Sequence, residues 1–370
     1  MLPTGIDQET FYQLALTFVP DVGAKTARAL YEHFGTATHI FNAPLKEIKA
    51  IAGIDEKRSK GFRDDDVLRK TEAELNIVAR HGINILNYRN GNYPARLAQC
   101  VDAPLIVYYR GNANLDAQKI VAIVGTRKST DYGNRLVDEL VEGLRAHEDM
   151  LIISGLAAGI DTLAHRKCVE LNIPTVGVLG HGLDRMYPVA NKKLAKEMME
   201  NGGLLTEFPF ETVPDKGKFP MRNRVVAGLA DVTIVVESAI SGGALITARM
   251  ASGYNRDVAA YPGRVNDSRS AGCNKLIRTN IAGMITCADD LLDMMNWGKS
   301  KSKAVQKELF INLTPEEQKI IDILQTKDQV HADELYHQTG YTSSQLAATL
   351  LQLEMQDLVK SLPGKFYRMN

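Results

Sequence analysis

VAIVGTR at residues 121–127 and LIISGLAAG at residues 151–159 decide how this chain folds. Each is a short β-branched, apolar run that stops at glycine or a small polar residue. Such runs read as strands buried on both faces of a parallel sheet. The pattern recurs at TVGVLGHG (175–182), TIVVESAISGG (233–243) and VAAYPGR (258–264). The intervening stretches NRLVDELVEGLRAH, DTLAHRKCVEL and LITARMASGYN have helical periodicity. Strands are therefore predicted near 120–124, 150–154, 175–179, 203–207, 232–236, 257–261 and 284–287, alternating with helices. That alternation predicts an α/β class with an extended Rossmann-like, doubly wound sheet.

In open α/β sheets, ligands bind beyond the carboxyl ends of the strands, where backbone N–H groups and helix N-termini face an anion. Here that edge collects Arg127, Lys128, Lys216, Lys218, Arg222, Arg224, Arg249 and Arg264. Four of these cations and Phe219 fall within the nine residues KGKFPMRNR (216–224), read as a single connection. The predicted ligand is polyanionic and larger than a dinucleotide, with nucleic acid foremost. Lys and Arg follow a phosphate backbone, and an aromatic ring offers a stacking face to an unpaired base. Lys+Arg and Asp+Glu are both 44, so the chain has no histone-like coat of charge. A basic groove must arise by segregation within the sheet domain.

Gly125-Thr126-Arg127 lacks the GxGxxG spacing, and neither a dinucleotide nor any other cofactor is predicted. Ser154-Gly155, opening the run to Gly159, either lets a ligand approach the backbone or permits tight strand–helix packing; Asp161 is placed to cap the next helix. Ser241-Gly242-Gly243 reads as an anion nest ahead of a helix bearing Arg249. Isolated His165 reads as structural, and His181, without a nucleophile beside it, is given no catalytic role. Cys100, Cys168, Cys273 and Cys287 are scattered without CxxC pairing, which suits a reducing compartment and gives no zinc signature. With no apolar leader core in MLPTGIDQETF and no membrane-length apolar stretch, a soluble cytoplasmic protein without membrane contact is expected.

The flanks read differently. Residues 1–70 predict short helices in two hairpins, with turns near Gly23 and Gly53 and second helices from Lys25 and Glu56. This arrangement resembles paired helix-hairpin-helix units, but Asp21 and Asp55 stand where the usual turns carry glycine. A carboxylate there repels phosphate, so a structural or protein-binding role is favoured. Residues 71–295 form the sheet domain, extended at its start by GINILNYRNGNYPARL and DAPLIVYYRGN, and NWGKSKSKAVQ (296–306) reads as a linker. Residues 307–370 predict three helices and a β-wing, with turns at Gly340–Tyr341 and Pro363–Gly364. The third helix, SSQLAATLLQLEM, contains no cation, and residues 305–370 carry 6 Lys+Arg against 9 Asp+Glu. Weak duplex affinity is expected of this region.

Taken together, GTRKST, SGLAAGIDTLAH, GHGLDRMYP, KGKFPMRNRVVAGLAD, ESAISGGALITAR and GCNKLI resemble the DNA-processing protein A (DprA, also called Smf) family over essentially the whole chain. The resemblance implies a non-enzymatic protein of natural transformation. It would bind single-stranded DNA, displace single-strand-binding protein and load the recombinase RecA, as a homodimer formed through the Rossmann-like domain. It also implies that Arg127 contacts DNA, that Lys216 holds the backbone, that Phe219 lies near a base pocket, and that Arg222, Asn223 and Arg224 form the family's Arg-Asn-Arg run. The alternative is a nucleotide N-glycosidase or phosphoribohydrolase on the same fold, a class with a Gly-Gly-x-Gly-Thr-x-x-Glu motif. Here Leu245 and Ile246 replace its Gly-Thr pair, and Arg249 replaces its catalytic Glu.

Overall fold

The apolar runs do become strands. In the computed structural model, which describes residues 7–51, 54–298, 313–327, 329–356, 358–362 and 364–369, they build one nine-stranded sheet. Its strands are β1 (Asn84–Asn87), β2 (Ile106–Gly111), β3 (Lys119–Val124), β4 (Met150–Ser154), β5 (Thr175–Leu179), β6 (Gly202–Thr206), β7 (Val232–Val235), β8 (Asp257–Ala260) and β9 (Gly283–Met284). The spatial order is β1-β2-β6-β5-β4-β3-β7-β8-β9. From β6 to β9 all neighbours are parallel, while β2 runs antiparallel to β6 and β1 antiparallel to β2. Every residue of β4 and β5 is buried. Alternate residues feed opposite cores: Ile120, Ala122 and Val124 on one face, Val121 and Ile123 on the other. That two-sided burial is why these strands read as continuous apolar runs.

The chain winds outward from β3 through β4, β5 and β6, then restarts at β7 on the other side of β3. The β3–β7 boundary is thus the topological switch point, where crevices form at the carboxyl ends of such sheets.

Among the described residues six helices precede the sheet: Gln8–Phe18, Ala24–Phe34, Ala37–Asn42, Leu45–Lys49, Glu56–Gly61 and Asp65–His81. Leu14, Leu30, Ile40 and Leu75 from these helices share one core with Ile106 and Tyr108 of β2. The chain divides into two compact units, Met1–Ser300 and Lys301–Asn370. Asp55, expected to repel phosphate, caps the helix Glu56–Gly61 by accepting the Arg58 N–H at 2.8 Å. Gly53, Pro363 and the expected linker beyond Gly298 lie outside the described residues.

The second unit has helices Pro315–Leu324, Ala332–Thr339 and Ser343–Met355, with β10 (Val330–His331), β11 (Val359–Leu362) and β12 (Phe366–Met369) in the antiparallel order β10-β12-β11. This is a winged helix. Thr314 with Glu317, and Thr342 with Gln345, form capping boxes at two of its helix starts. Among the described residues no helix is long and apolar enough to cross a membrane.

Candidate nucleic-acid interface

A groove of about 1440 Å³ opens at the switch point. Its walls come from the β3 exit (Gly125, Thr126, Arg127), the β4 exit (Gly155, Ala157), the segment after β7 (Ser238, Ala239), and the start of the helix Gly243–Gly253 (Gly242, Gly243, Ala244). Lys216, Phe219, Arg222 and Asn223 also line it, with Asp161 and Tyr187. The glycines at 242 and 243 leave that helix without a side-chain cap, so its N-terminal amides and dipole favour an anion in the groove.

The expectation that Lys216–Arg224 is a connection is corrected. From Lys218 to Leu229 the chain is a helix, and its turns sort the cations. Lys216, just before it, is exposed, and Lys218 reaches back to the Val213 carbonyl at 3.0 Å. Arg222 is buried at 5% exposure and donates to the carbonyls of Gly155 and Val178, the latter at 2.6 Å. Its Nε donates to Asn223 Oδ1 at 3.0 Å. Arg224 pairs with Glu207 and donates to the Asp102 carbonyl. Arg222 and Arg224 are therefore internal ties, because their guanidinium forks reach buried acceptors on several separate segments.

The buried charges beneath the groove offset one another. Burial pushes the Asp161 carboxyl up, opposed by the Arg222 charge. Burial lowers the Arg222 guanidinium to about 10, opposed by Asp161. The expectation that Asp161 caps the next helix is corrected: Gly159 is the N-cap, without a side-chain hydrogen bond, and Asp161 lies inside the first turn, where it accepts the Ala157 N–H at 3.3 Å.

Six further expected site residues move to structural roles or outside the lining. Ser154 is buried and donates to the Ile123 carbonyl at 2.5 Å. A Cβ on Gly155 would sit 2.5 Å from the Arg222 guanidinium, so tight packing accounts for that glycine. Arg249 is exposed but does not line the groove, nor do Ser241, Lys128 and Lys218. The Lys128 carbonyl accepts from Arg269 at 2.7 Å, fixing the loop on which Arg127 stands. Buried Glu237 fixes the same loop from below, accepting from the Thr130 N–H at 3.0 Å and its hydroxyl at 2.6 Å.

Two aromatic residues and one cation meet at the groove's end. The Arg127 guanidinium lies 5.3 Å from the Phe219 ring centroid. Tyr187, half exposed, lies 6.0 Å from Phe219 with the rings tilted by 33°. Between them is a recess of about 430 Å³, lined also by Gly180, His181 and Ala158. Gly180 makes room for the Phe219 ring, whose Cδ1 is 3.0 Å from where a Cβ would be. Tyr187 was missed in the sequence, although it stands inside GHGLDRMYP beside Pro188. His181 holds it: the Tyr187 N–H donates to His181 Nε2 at 3.2 Å, while Nδ1 lies 2.9 Å from the Gly182 carbonyl. Burial keeps this imidazole below its ordinary range, which preserves the acceptor nitrogen.

His165 is core. Its Nδ1 lies 2.7 Å from the Thr175 hydroxyl, which donates onward to the Ile152 carbonyl at 3.0 Å. Burial, helped by the Arg222 charge, lowers it to about 3. An unfolded imidazole titrates near about 6.5, so between these values the unfolded chain binds more protons than the folded one. Stability is then fully present above pH ~6.5 and falls as pH drops toward ~3, by at most about 1.4 kcal/mol per pH unit. His165→Gln is expected to flatten the dependence of Tm on pH between 7 and 5; an unchanged slope contradicts the assignment.

Fold and groove together define a Rossmann-like protein with an anion-and-aromatic cleft at its switch point. The chain belongs to the DNA recombination-mediator protein A family, DprA/Smf, whose pattern matches residues 84–296, more than half of its length. Residues 309–365 match the DprA winged-helix domain, and residues 14–60 a SAM-like helix-hairpin-helix tandem. Protein Smf of Synechocystis is 29% identical over 402 residues, covering 98% of this chain and 99% of that one. DNA processing protein DprA of Streptococcus pneumoniae is 39% identical over 200 residues, covering 54% of this chain and 70% of that one. The crystal structure of the pneumococcal protein superposes with a TM-score of 0.65 at 31% identity, covering 78% of this chain and 98% of that one. A structure concerned with the single-stranded DNA binding mode of Helicobacter pylori DNA processing protein A gives a TM-score of 0.53 at 30% identity, covering 58% of this chain and 96% of that one.

Proposed function

We propose that this protein binds single-stranded DNA in the switch-point groove and hands it to a RecA-type recombinase during natural transformation, without chemistry of its own. The observation that carries the reading is the Arg127–Phe219–Tyr187 group beside Lys216 and the uncapped helix start at Gly242–Gly243. Cations and helix amides hold phosphates, and the rings take unpaired bases. DNA contacts are assigned to Arg127, Lys216, Phe219, Tyr187, Asn223, Gly242 and Gly243, with Lys128, Lys218, Ser241 and Arg249 as flanking groups. Hand-over to RecA and a homodimer through the Rossmann-like domain rest on the family. The hydrolase alternative lacks support in the groove: among the described residues its lining carboxylate is Asp161, buried and balanced by Arg222. Arg249, in place of the catalytic Glu, does not line it.

Arg127→Ala and Lys216→Ala are expected to weaken single-strand binding with Tm unchanged, since both side chains are exposed. The log–log salt slope of binding should be about −0.7 per phosphate neutralised, and each variant should make it shallower by removing one contact. Unchanged affinity and slope in both variants would remove the groove from the DNA path.

A further inference from the structure

The third helix of the winged-helix unit, Ser343–Met355, has two apolar sides. Leu346, Leu350 and Leu353 are buried on one. Ser344, Ala347, Ala348, Leu351 and Met355 are all exposed, Leu351 at 59% and Met355 at 82%. At about 100° per residue these five fall in one stripe about 100° wide, opposite the buried leucines. A helix that reads a major groove presents Arg, Lys, Asn or Gln to base edges and phosphates. Here the outward centre is alanine, leucine and methionine, and the helix's sole ionisable side chain is Glu354. Among the described residues this apolar face has no partner, and it lies where duplex-binding relatives of the fold place donors.

We propose that this stripe docks on the same stripe of a second copy of the chain, the two helices running antiparallel about a two-fold axis at Leu351. Residue sizes along the stripe favour that occupant. The small residues Ser344, Ala347 and Ala348 occupy the N-terminal half and the large Leu351 and Met355 the C-terminal half. Reversing one helix on the other, with Leu351 facing Leu351, brings Met355 of each over the alanines of its partner. Large side chains then fill the space left by small ones, as close packing requires. An isologous contact of this kind needs one self-complementary surface. Charge does not oppose it: Glu354 accepts the Ser361 N–H at 2.9 Å within its own unit, and no ionisable side chain lies on the stripe. The acidic residues Glu316, Asp322, Asp333 and Glu334 belong to the other two helices of the unit. A single pair of 13-residue helices buries less than the ~1,200 Å² of a stable free-standing interface. The contact is therefore weak alone and strengthened by any second contact between the same two copies.

The test uses the full chain with Cys287→Ser, which removes the exposed cysteine among the described residues. Mild oxidation of Leu351→Cys in this background, without DNA, is expected to give a covalent dimer on a non-reducing gel. Gln338→Cys, equally exposed on the preceding helix, should give several-fold less. Adding Met355→Glu to the Leu351→Cys chain should suppress the dimer, while circular dichroism stays unchanged. Three results overturn the proposal: no covalent dimer from a folded Leu351→Cys protein, equal yield from Gln338→Cys, or a disulfide within one chain. None depends on single-strand affinity, so the outcome is independent of the DNA-binding reading.

Discussion

Arg222→Ala is expected to destabilise the protein by about 3–5 kcal/mol, the cost of leaving a buried charge and two buried carbonyls uncompensated. The change strands Asp161 without its compensating cation and leaves the Gly155 and Val178 carbonyls without their donor. In a unit this large the loss should lower Tm by on the order of 10 °C. It contrasts with Lys216→Ala, which removes an exposed cation and should cost affinity alone. Arg222→Lys should not rescue, because an ammonium cannot reproduce a planar fork that reaches both carbonyls and Asn223. Thermal melts of the three variants check this. A native Tm for Arg222→Ala, with lost DNA binding, would return Arg222 to the surface role its neighbours on the helix suggest.

Phe219→Ala should weaken single-strand binding by about 1–3 kcal/mol, roughly 5- to 150-fold, the usual worth of one base–aromatic stack. The ring is half-buried against Gly180, Arg127 and Tyr187, so it stands at the groove and not in a core cluster. Phe219→Trp should keep most of the affinity, since any π-face stacks. Tyr187→Ala should weaken binding in the same direction. Equilibrium titration with a labelled oligonucleotide, paired with melts, decides between two roles. If Phe219→Ala lowers Tm and spares affinity, the ring is packing.

The sheet was legible because its strands are buried on both faces, and Ile120 to Val124 or Leu151 to Ile153 have no polar position to blur them. The helix Lys218–Leu229 was not. The density of cations around Phe219 argued for a connection, yet the segment is helical, and Pro220 in its first turn removes only an N–H that the helix leaves unbonded. Which cations turn inward was also hidden. The carbonyls that Arg222 meets lie 67 and 44 residues away in the chain, and no local pattern joins them. The winged helix was legible from Gly340 and its periodicity, and the missing cation in its third helix was visible in composition. That Leu351 and Met355 face outward needed the packing of Leu346, Leu350 and Leu353. Tyr187 escaped because its function depends on a histidine six residues earlier, through a backbone N–H that composition does not show.

The central claim is a preference for unpaired strands, and it is tested most directly by one comparison. Fluorescence anisotropy at fixed salt should be recorded for a labelled single strand and for the blunt duplex of the same length. Stacking on Phe219 and Tyr187 requires bases that are free to unstack, whereas phosphate contacts alone accept either form. The account predicts at least about ten-fold tighter binding of the single strand, ~1.4 kcal/mol, with little dependence on base sequence. Equal affinity for the two forms would contradict it.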